Sequence, residues 1–241
     1  ANEQNNFRVA ASKTITLPEF KEIEPFEYVS PTGQVTRGNP DLEASTNYNL
    51  DLKWEFFPSA DQLISITGFY KYIEDPISKV QDRGSAGIFS FFNSADKAEI
   101  FGLEVETKLS LLKAIEESDY NLDLNLNASR MWHSQDLKEL KDAQGNFIRT
   151  FRYNGLTKTD LQGASDWIFN GSLNFATNTQ NKFLASVIAN YASDKIFALG
   201  APEIQTQSEL FYNDAIIEKG FVTLDALISK EFGEHFNLNL S

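Results

Sequence analysis

The sequence predicts an all-β chain: an antiparallel, up-and-down transmembrane β-barrel segment of about nine strands. Three observations carry this. Apolar and polar residues alternate through many segments of about ten residues, the length a tilted strand needs to cross a bilayer. The connections alternate between long and short. Aromatic residues gather near the strand ends, in a chain holding 20 Phe, 8 Tyr and 3 Trp. The plainest segment is Asn121–Ser129, where Leu122, Leu124, Leu126 and Ala128 share one face and Asn121, Asp123, Asn125, Asn127 and Ser129 the other. On a helix those leucines would scatter around the circumference.

Composition narrows the function classes. Hydrophobic content is 41% and mean hydropathy -0.33, and no apolar run is long enough for a membrane helix. That leaves a barrel open, because barrel strands keep overall hydropathy modest. A net charge of -13 argues against nucleic acid or an anionic lipid surface as the main partner. With no cysteine, disulfides, thiolate zinc sites and thiol nucleophiles are excluded. No leader is visible, since the opening residues already read as strand, and the start looks cut from something longer.

In order, Phe7, Val9 and Ala11 alternate with Arg8, Ala10 and Ser12 as a first strand. The stretch from Leu17 to about Ala44 holds too many Pro and Gly for a regular element. Tyr48, Leu50, Leu52, Trp54 and Phe56 then oppose Asn49, Asp51, Lys53 and Glu55. After a tight turn at Pro58–Asp61, Ile64, Ile66, Gly68, Tyr70 and Tyr72 return. A loop rich in Gly and Ser spans roughly Glu74 to Asp96. Leu103, Val105, Leu109 and Leu111 alternate with Glu104, Glu106, Lys108 and Ser110, and a short connection leads into Asn121–Ser129. A third long loop is expected from His133 to about Ala164, with a helical turn at Leu137–Lys141. Trp167–Phe175 and Phe183–Tyr191 flank a turn at Asn178–Asn181, with Ile168, Leu184 and Ile188 blurring the pattern. A fourth long loop covers about Phe197–Lys219. Val222–Ile228 and Phe236–Leu240 close the series around Gly233–His235.

Long connections at one end and short turns at the other are the plan of an outer-membrane barrel. Tyr48, Trp54, Phe56, Tyr70, Tyr72, Trp132, Trp167 and Tyr191 would supply its aromatic girdles. The polar face cannot be a dry core. It is expected to line a wet lumen with lateral salt bridges. The alternative is a soluble secreted β-sandwich or carbohydrate-binding module, in which the leucine face packs sheet against sheet.

Several segments resemble the C-terminal half of TonB-dependent receptors, particularly the Bacteroidota type. They are Ser12–Phe20 (SKTITLPEF), Arg37–Leu42 (RGNPDL), Tyr48–Pro58, Phe69–Ile77, Gly102–Glu106 (GLEVE) and Leu161–Trp167 (LQGASDW), in the family's order across nearly the whole chain. The resemblance implies a barrel of about 22 strands with a plug in its lumen. It implies location in the outer membrane of a Gram-negative bacterium, and TonB-driven uptake of an iron chelate, a glycan or a peptide. Implied partners are outer-membrane lipid, the receptor's own N-terminal plug domain, the TonB complex acting through that plug, and a surface lipoprotein. On this view residues 1–241 are the C-terminal part of the barrel, without plug or closing strand. A passive porin differs mainly in lacking the plug.

No catalytic residues, cofactor or metal site are expected, and the chain is not read as an enzyme. His133 and His235 read as exposed polar residues in a loop and a turn. Glu104 and Glu106 read as part of a lumenal charge ladder. Asp82, Asp96, Asp136 and Asp142 lack the spacing of a calcium loop. The sequons at Asn127 and Asn170 fall inside strands. Ligand contacts are sought in the long loops. There Phe89, Phe91 and Phe92, with Arg149, Arg152 and Tyr153, combine stacking surfaces with cationic forks, and Phe211 and Tyr212 form a further pair. The bland alternative is that these aromatics pack the loops onto one another.

Overall fold

The leucine and asparagine alternation does produce strands, and they join into one antiparallel meander. The structure, a computed structural model, describes residues 4–83, 87–112, 120–177, 181–203, 214–233 and 236–241. Nine strands run along the sheet in chain order. They are β1 (Asn5–Thr16), β2 (Ser45–Phe56), β3 (Leu63–Glu74), β4 (Ala95–Leu112), β5 (Tyr120–Leu137), β6 (Trp167–Thr177), β7 (Phe183–Ala192), β8 (Phe221–Phe232) and β9 (Phe236–Leu240). The strand ends that border the long connections 17–44, 75–94, 138–166 and 193–220 lie at one end of the sheet, and those that border the short ones lie at the other.

Register places like with like. Leu124 pairs with Leu109 on one side and Leu173 on the other. Asn125 pairs with Lys108 and Ser172. The apolar face is uncovered: Leu52, Leu103, Leu126 and Phe169 are 53%, 51%, 46% and 42% exposed. Among the described residues no second sheet packs against it, so the sandwich expectation fails. An apolar face this extended exceeds what a soluble monomer leaves in water. Lipid satisfies it, because the strands from β2 to β7 are paired by a neighbour on both sides and so present few open backbone groups to it.

Aromatics mark two levels on this face. Toward the long loops, Phe101 stacks on Trp132 at 4.9 Å, Trp167 on Phe169 at 5.5 Å, and Phe169 on Tyr191 at 6.1 Å. The Arg130 guanidinium sits 5.0 Å from both Trp132 and Trp167 and pairs with Asp166. Toward the short turns, Trp54 stacks on Phe56, Tyr120 on Phe175, and Phe232 meets Phe236. Twelve residues separate Tyr120 from Trp132, about 40 Å along the strand and about 30 Å across a membrane once tilted.

The inner face is laced laterally. Arg8 reaches Glu55 at 3.0 Å, and Lys53 reaches Glu106 at 3.3 Å. Asn127 donates to Glu104 and Asn170 to Asn127. Ser186 donates to Asn174, Asn190 to Thr223 and Ser229 to Asn237. Such hydrogen bonds, shared between neighbouring strands, hold register where no apolar core exists. One inner-face position must be glycine. A Cβ on Gly102 would collide with the Phe69 ring and come within 2.7 Å of the Arg130 carbonyl oxygen. Phe69 therefore lies over the bare backbone of its cross-strand partner.

The long connections are more ordered than their Pro and Gly content suggests. Residues 20–23 form a helical turn (Phe20–Ile23). Segments Glu27–Val29, Val35–Arg37, Ile88–Asn93 and Ile77–Gln81 build a four-stranded sheet that joins the first and second loops. The expected helical turn at Leu137–Lys141 is instead strand: Leu137 ends β5, and Glu139–Lys141 pairs with Phe147–Thr150. The third loop also starts later than expected, because β5 extends through His133 to Leu137.

Candidate ligand-binding face

The dry core of this protein lies in its loops, not in its sheet. Val80, Leu137, Phe151, Tyr153, Ile196 and Leu199 are all 7% exposed or less and pack together, with Phe92 and Ala215 against them. They come from the second, third and fourth loops and the end of β5. The chain needs this cluster because segments of this length have too few local hydrogen bonds to hold one shape. Backbone bonds reinforce it: Gln81 N–H donates to the Leu199 carbonyl at 3.0 Å, and Leu199 N–H to that of Lys79 at 2.9 Å. Gln162 stitches the same loops, accepting from Lys79 N–H and donating to the Phe197 carbonyl. A tight turn at Asn154-Gly155, both with positive φ, returns the chain after Tyr153.

The structure distributes the expected ligand residues unevenly. Phe89 and Phe91 are buried, and Tyr153 is wholly so, with its hydroxyl 2.9 Å from that of Thr159. Burial raises the Tyr153 pKa. Tyr153 belongs to the loop core, and Phe89 meets the Phe197 ring edge-on at 6.0 Å. Arg152 is paired with Glu139 at 3.0 Å. Arg149 lies over Phe92, 4.0 Å from the ring centre, and 5.0 Å from that of Phe151. Burial lowers its pKa, opposed by the charge of Asp82. Phe211 and Tyr212 lie outside the described residues.

Two features were not legible in the sequence. A cleft of about 360 Å³ opens beside Arg149, walled by Asp82 and Arg83, by Phe147 and Ile148, and by Pro202 and Glu203. Lys79 lies 4.2 Å from the centre of the Phe197 ring and 5.2 Å from that of Phe89, donating to Gln34 at 3.0 Å. Burial lowers its pKa, helped by the nearby charge of Lys21. No local pattern announces either feature, because each is assembled from three long loops.

His133 is not the exposed loop residue expected. It sits on β5 with its side chain 2% exposed. Its Nδ1 accepts from Leu161 N–H at 3.1 Å, and its Nε2 faces the Asp166 carboxylate at 3.3 Å. His235 lies outside the described residues. Glu104 and Glu106 are held by Asn127 and Lys53 in the inner-face ladder. Asp142 closes its own loop, accepting from Asn146 and Gln144, and these bonds hold its pKa below the ordinary value. Among the described residues no cluster of His, Asp and Glu could hold a metal ion.

An antiparallel meander that is apolar outside, polar inside and capped by packed loops at one end is part of a membrane β-barrel of receptor type. The chain belongs to the TonB dependent receptor-like β-barrel family, whose model matches residues 1–241. That family consists of outer-membrane receptors and transporters of Gram-negative bacteria rather than enzymes. No curated protein sequence matches the chain.

Solved structures of similar fold include the ferric enterobactin receptor PfeA of Pseudomonas aeruginosa, with TM-score 0.55 and 14% identity, covering 99% of this chain and 32% of that one. The ferric yersiniabactin uptake receptor FyuA of Yersinia pestis gives 0.53 and 14%, covering 99% and 29%. The siderophore receptor PirA of Acinetobacter baumannii gives 0.53 and 15%, covering 97% and 33%. The chain thus spans about a third of the length of these relatives.

Proposed function

We propose that this chain is the C-terminal barrel portion of a TonB-dependent receptor that actively imports a scarce nutrient. The observation that carries the reading is the match of the whole chain to the receptor-barrel family, joined to a sheet that is apolar outside and polar inside. The cargo we favour is an iron chelate, in keeping with the names of the similar structures, with a glycan or a peptide as the other candidates. The loop layer around Arg149 and Arg152 receives it. A plug elsewhere in the receptor carries the TonB contact, and a surface lipoprotein is a further partner. The segments around Arg37–Leu42 and Leu161–Trp167 favour the Bacteroidota type.

The test is fractionation of the full-length receptor, with gel mobility compared before and after boiling, followed by cargo uptake in cells with and without TonB. An outer-membrane band that runs faster unboiled, with uptake lost in the strain lacking TonB, supports the proposal. A soluble protein, or uptake indifferent to TonB, refutes it.

A further inference from the structure

Acidic residues outnumber basic ones here, 34 to 21, and the loop cations are mostly taken up in pairs. Arg37 is held by Glu27, Lys138 by Asp75, Arg152 by Glu139, Lys158 by Asp136, Lys195 by Glu218 and Lys219 by Asp194. Arg149 differs. Among the described residues no carboxylate lies within ion-pair distance of it, although it is half-buried. Its guanidinium carbon lies 4.0 Å from the centre of the Phe92 ring and 5.0 Å from that of Phe151. A contact of this kind with a ring takes up none of the N–H donors of the group in a conventional hydrogen bond.

The cleft beside it does not meet that need from within. The Ser90 hydroxyl donates to the Asp82 carboxylate at 2.9 Å. The Gly155 N–H donates to the Glu203 carboxylate, and Arg83 is turned toward the Pro202 carbonyl at 2.8 Å. Asp82 acts on Arg149 only through space, and a half-buried guanidinium with no hydrogen-bonded anion gains from one that comes within hydrogen-bond reach. A guanidinium fork matches the two oxygens of a carboxylate in one plane. Phe147 and Ile148 add an apolar wall to the cleft.

We propose that this cleft is a carboxylate subsite, in which Arg149 takes a carboxylate of the cargo in a two-point hydrogen bond. The inference rests on the receptor reading and narrows it: the cargo is anionic, and a neutral glycan is disfavoured. Two sources present the same chemistry, a chelator bearing carboxylates and the C-terminus of a peptide.

The experiment labels the intact, purified receptor with phenylglyoxal, which modifies accessible guanidinium groups, and reads the Arg149 and Arg152 peptides by mass spectrometry. Citrate, dialanine and maltose are the added probes. Protection of Arg149 by about tenfold or more with citrate assigns a chelator carboxylate, and with dialanine a peptide terminus. Arg152, already paired with Glu139, serves as the internal reference. Arg149→Gln should weaken binding of the protecting probe by about ten- to a hundredfold, the loss expected for a charge-assisted pair. Arg149→Lys keeps the charge without the fork and should recover only part of it. Each variant must retain the heat-modifiable band. Labelling unchanged by citrate and dialanine, protection by maltose, or unaltered probe binding by Arg149→Gln overturns the subsite. A receptor that is still exported and still imports cargo through TonB would show that only the subsite, and not the receptor reading, had failed.

Discussion

Leu199→Ala tests whether the loop layer is a structural unit of its own. Leu199 is fully buried among Val80, Phe151, Tyr153 and Ile196, and it bridges the second and fourth loops. Truncating a buried leucine to alanine costs about 2–5 kcal/mol through lost transfer energy and the cavity left behind. That cost should fall on the loops, because no strand of the membrane sheet contributes to the cluster except the end of β5. Amide hydrogen exchange of the refolded receptor in detergent reads it directly. The N–H groups of Gln81 and Leu199 itself hold the two loops together at 3.0 and 2.9 Å. If they open locally, their exchange accelerates by the same free energy, about thirtyfold to a few thousandfold. Amides in the middle of β5 and β6 should exchange as before, and the unboiled gel band should be unchanged. Equal protection of Gln81 in both proteins, or loss of protection across β5 and β6, would refute the view that the loops carry a separate core.

Other substitutions probe the two faces and the loop rim. Gly102→Ala should lower the urea midpoint of the refolded barrel, and combining it with Phe69→Ala should recover only part of the loss, since the Arg130 carbonyl still blocks the new Cβ. Leu126→Arg, midway between the girdles on the outer face, should destabilise the barrel in lipid by about 2–4 kcal/mol. Asn125→Arg on the inner face should change the same denaturation curve little; equal effects would mean the faces are assigned wrongly. At the base of the fourth loop, the Lys219 hydrogen bond, then the Gly220 N–H, hold the Asp194 pKa below its ordinary 3.8. A carboxyl with a depressed folded pKa contributes stability above its unfolded value and loses it as pH falls through the folded one. Protection of the Gly220 amide should therefore persist above about pH 4 and fade below the lowered pKa. Exchange at Gly220 that is flat through that acid range would count against the clasp.

The sequence by itself determined the sheet. Strict alternation in Tyr48–Phe56 and Asn121–Ser129 leaves only one way to keep leucines on one side and Asn, Asp and Lys on the other, and strand length with alternating loops supplied the medium. The motif segments carried the family. Blurred strands still folded as expected, because Ile168, Leu184 and Ile188 simply occupy inner-face positions, opposite Ser129, Ser229 and Ser172 respectively.

What only the tertiary structure decided lies above the membrane. The Phe-rich segment 88–93 carries no periodicity that distinguishes a binding surface from a packed one. Its fate depends on Val80, Tyr153 and Leu199, which are brought together from three loops across more than a hundred residues. The extension of β5 through His133 depends likewise on the β4 partners that continue beside it, with Ile100 opposite His133 and Ala98 opposite Gln135. The pairing state of a cation is a property of its neighbours in space. Nothing adjacent to Arg152 or Arg149 reveals that Glu139 neutralises the first, while two phenylalanine rings hold the second beside an open cleft. Short-range alternation fixes which face a strand residue takes; long-range closure of the loops fixes which of their side chains remain available to a ligand.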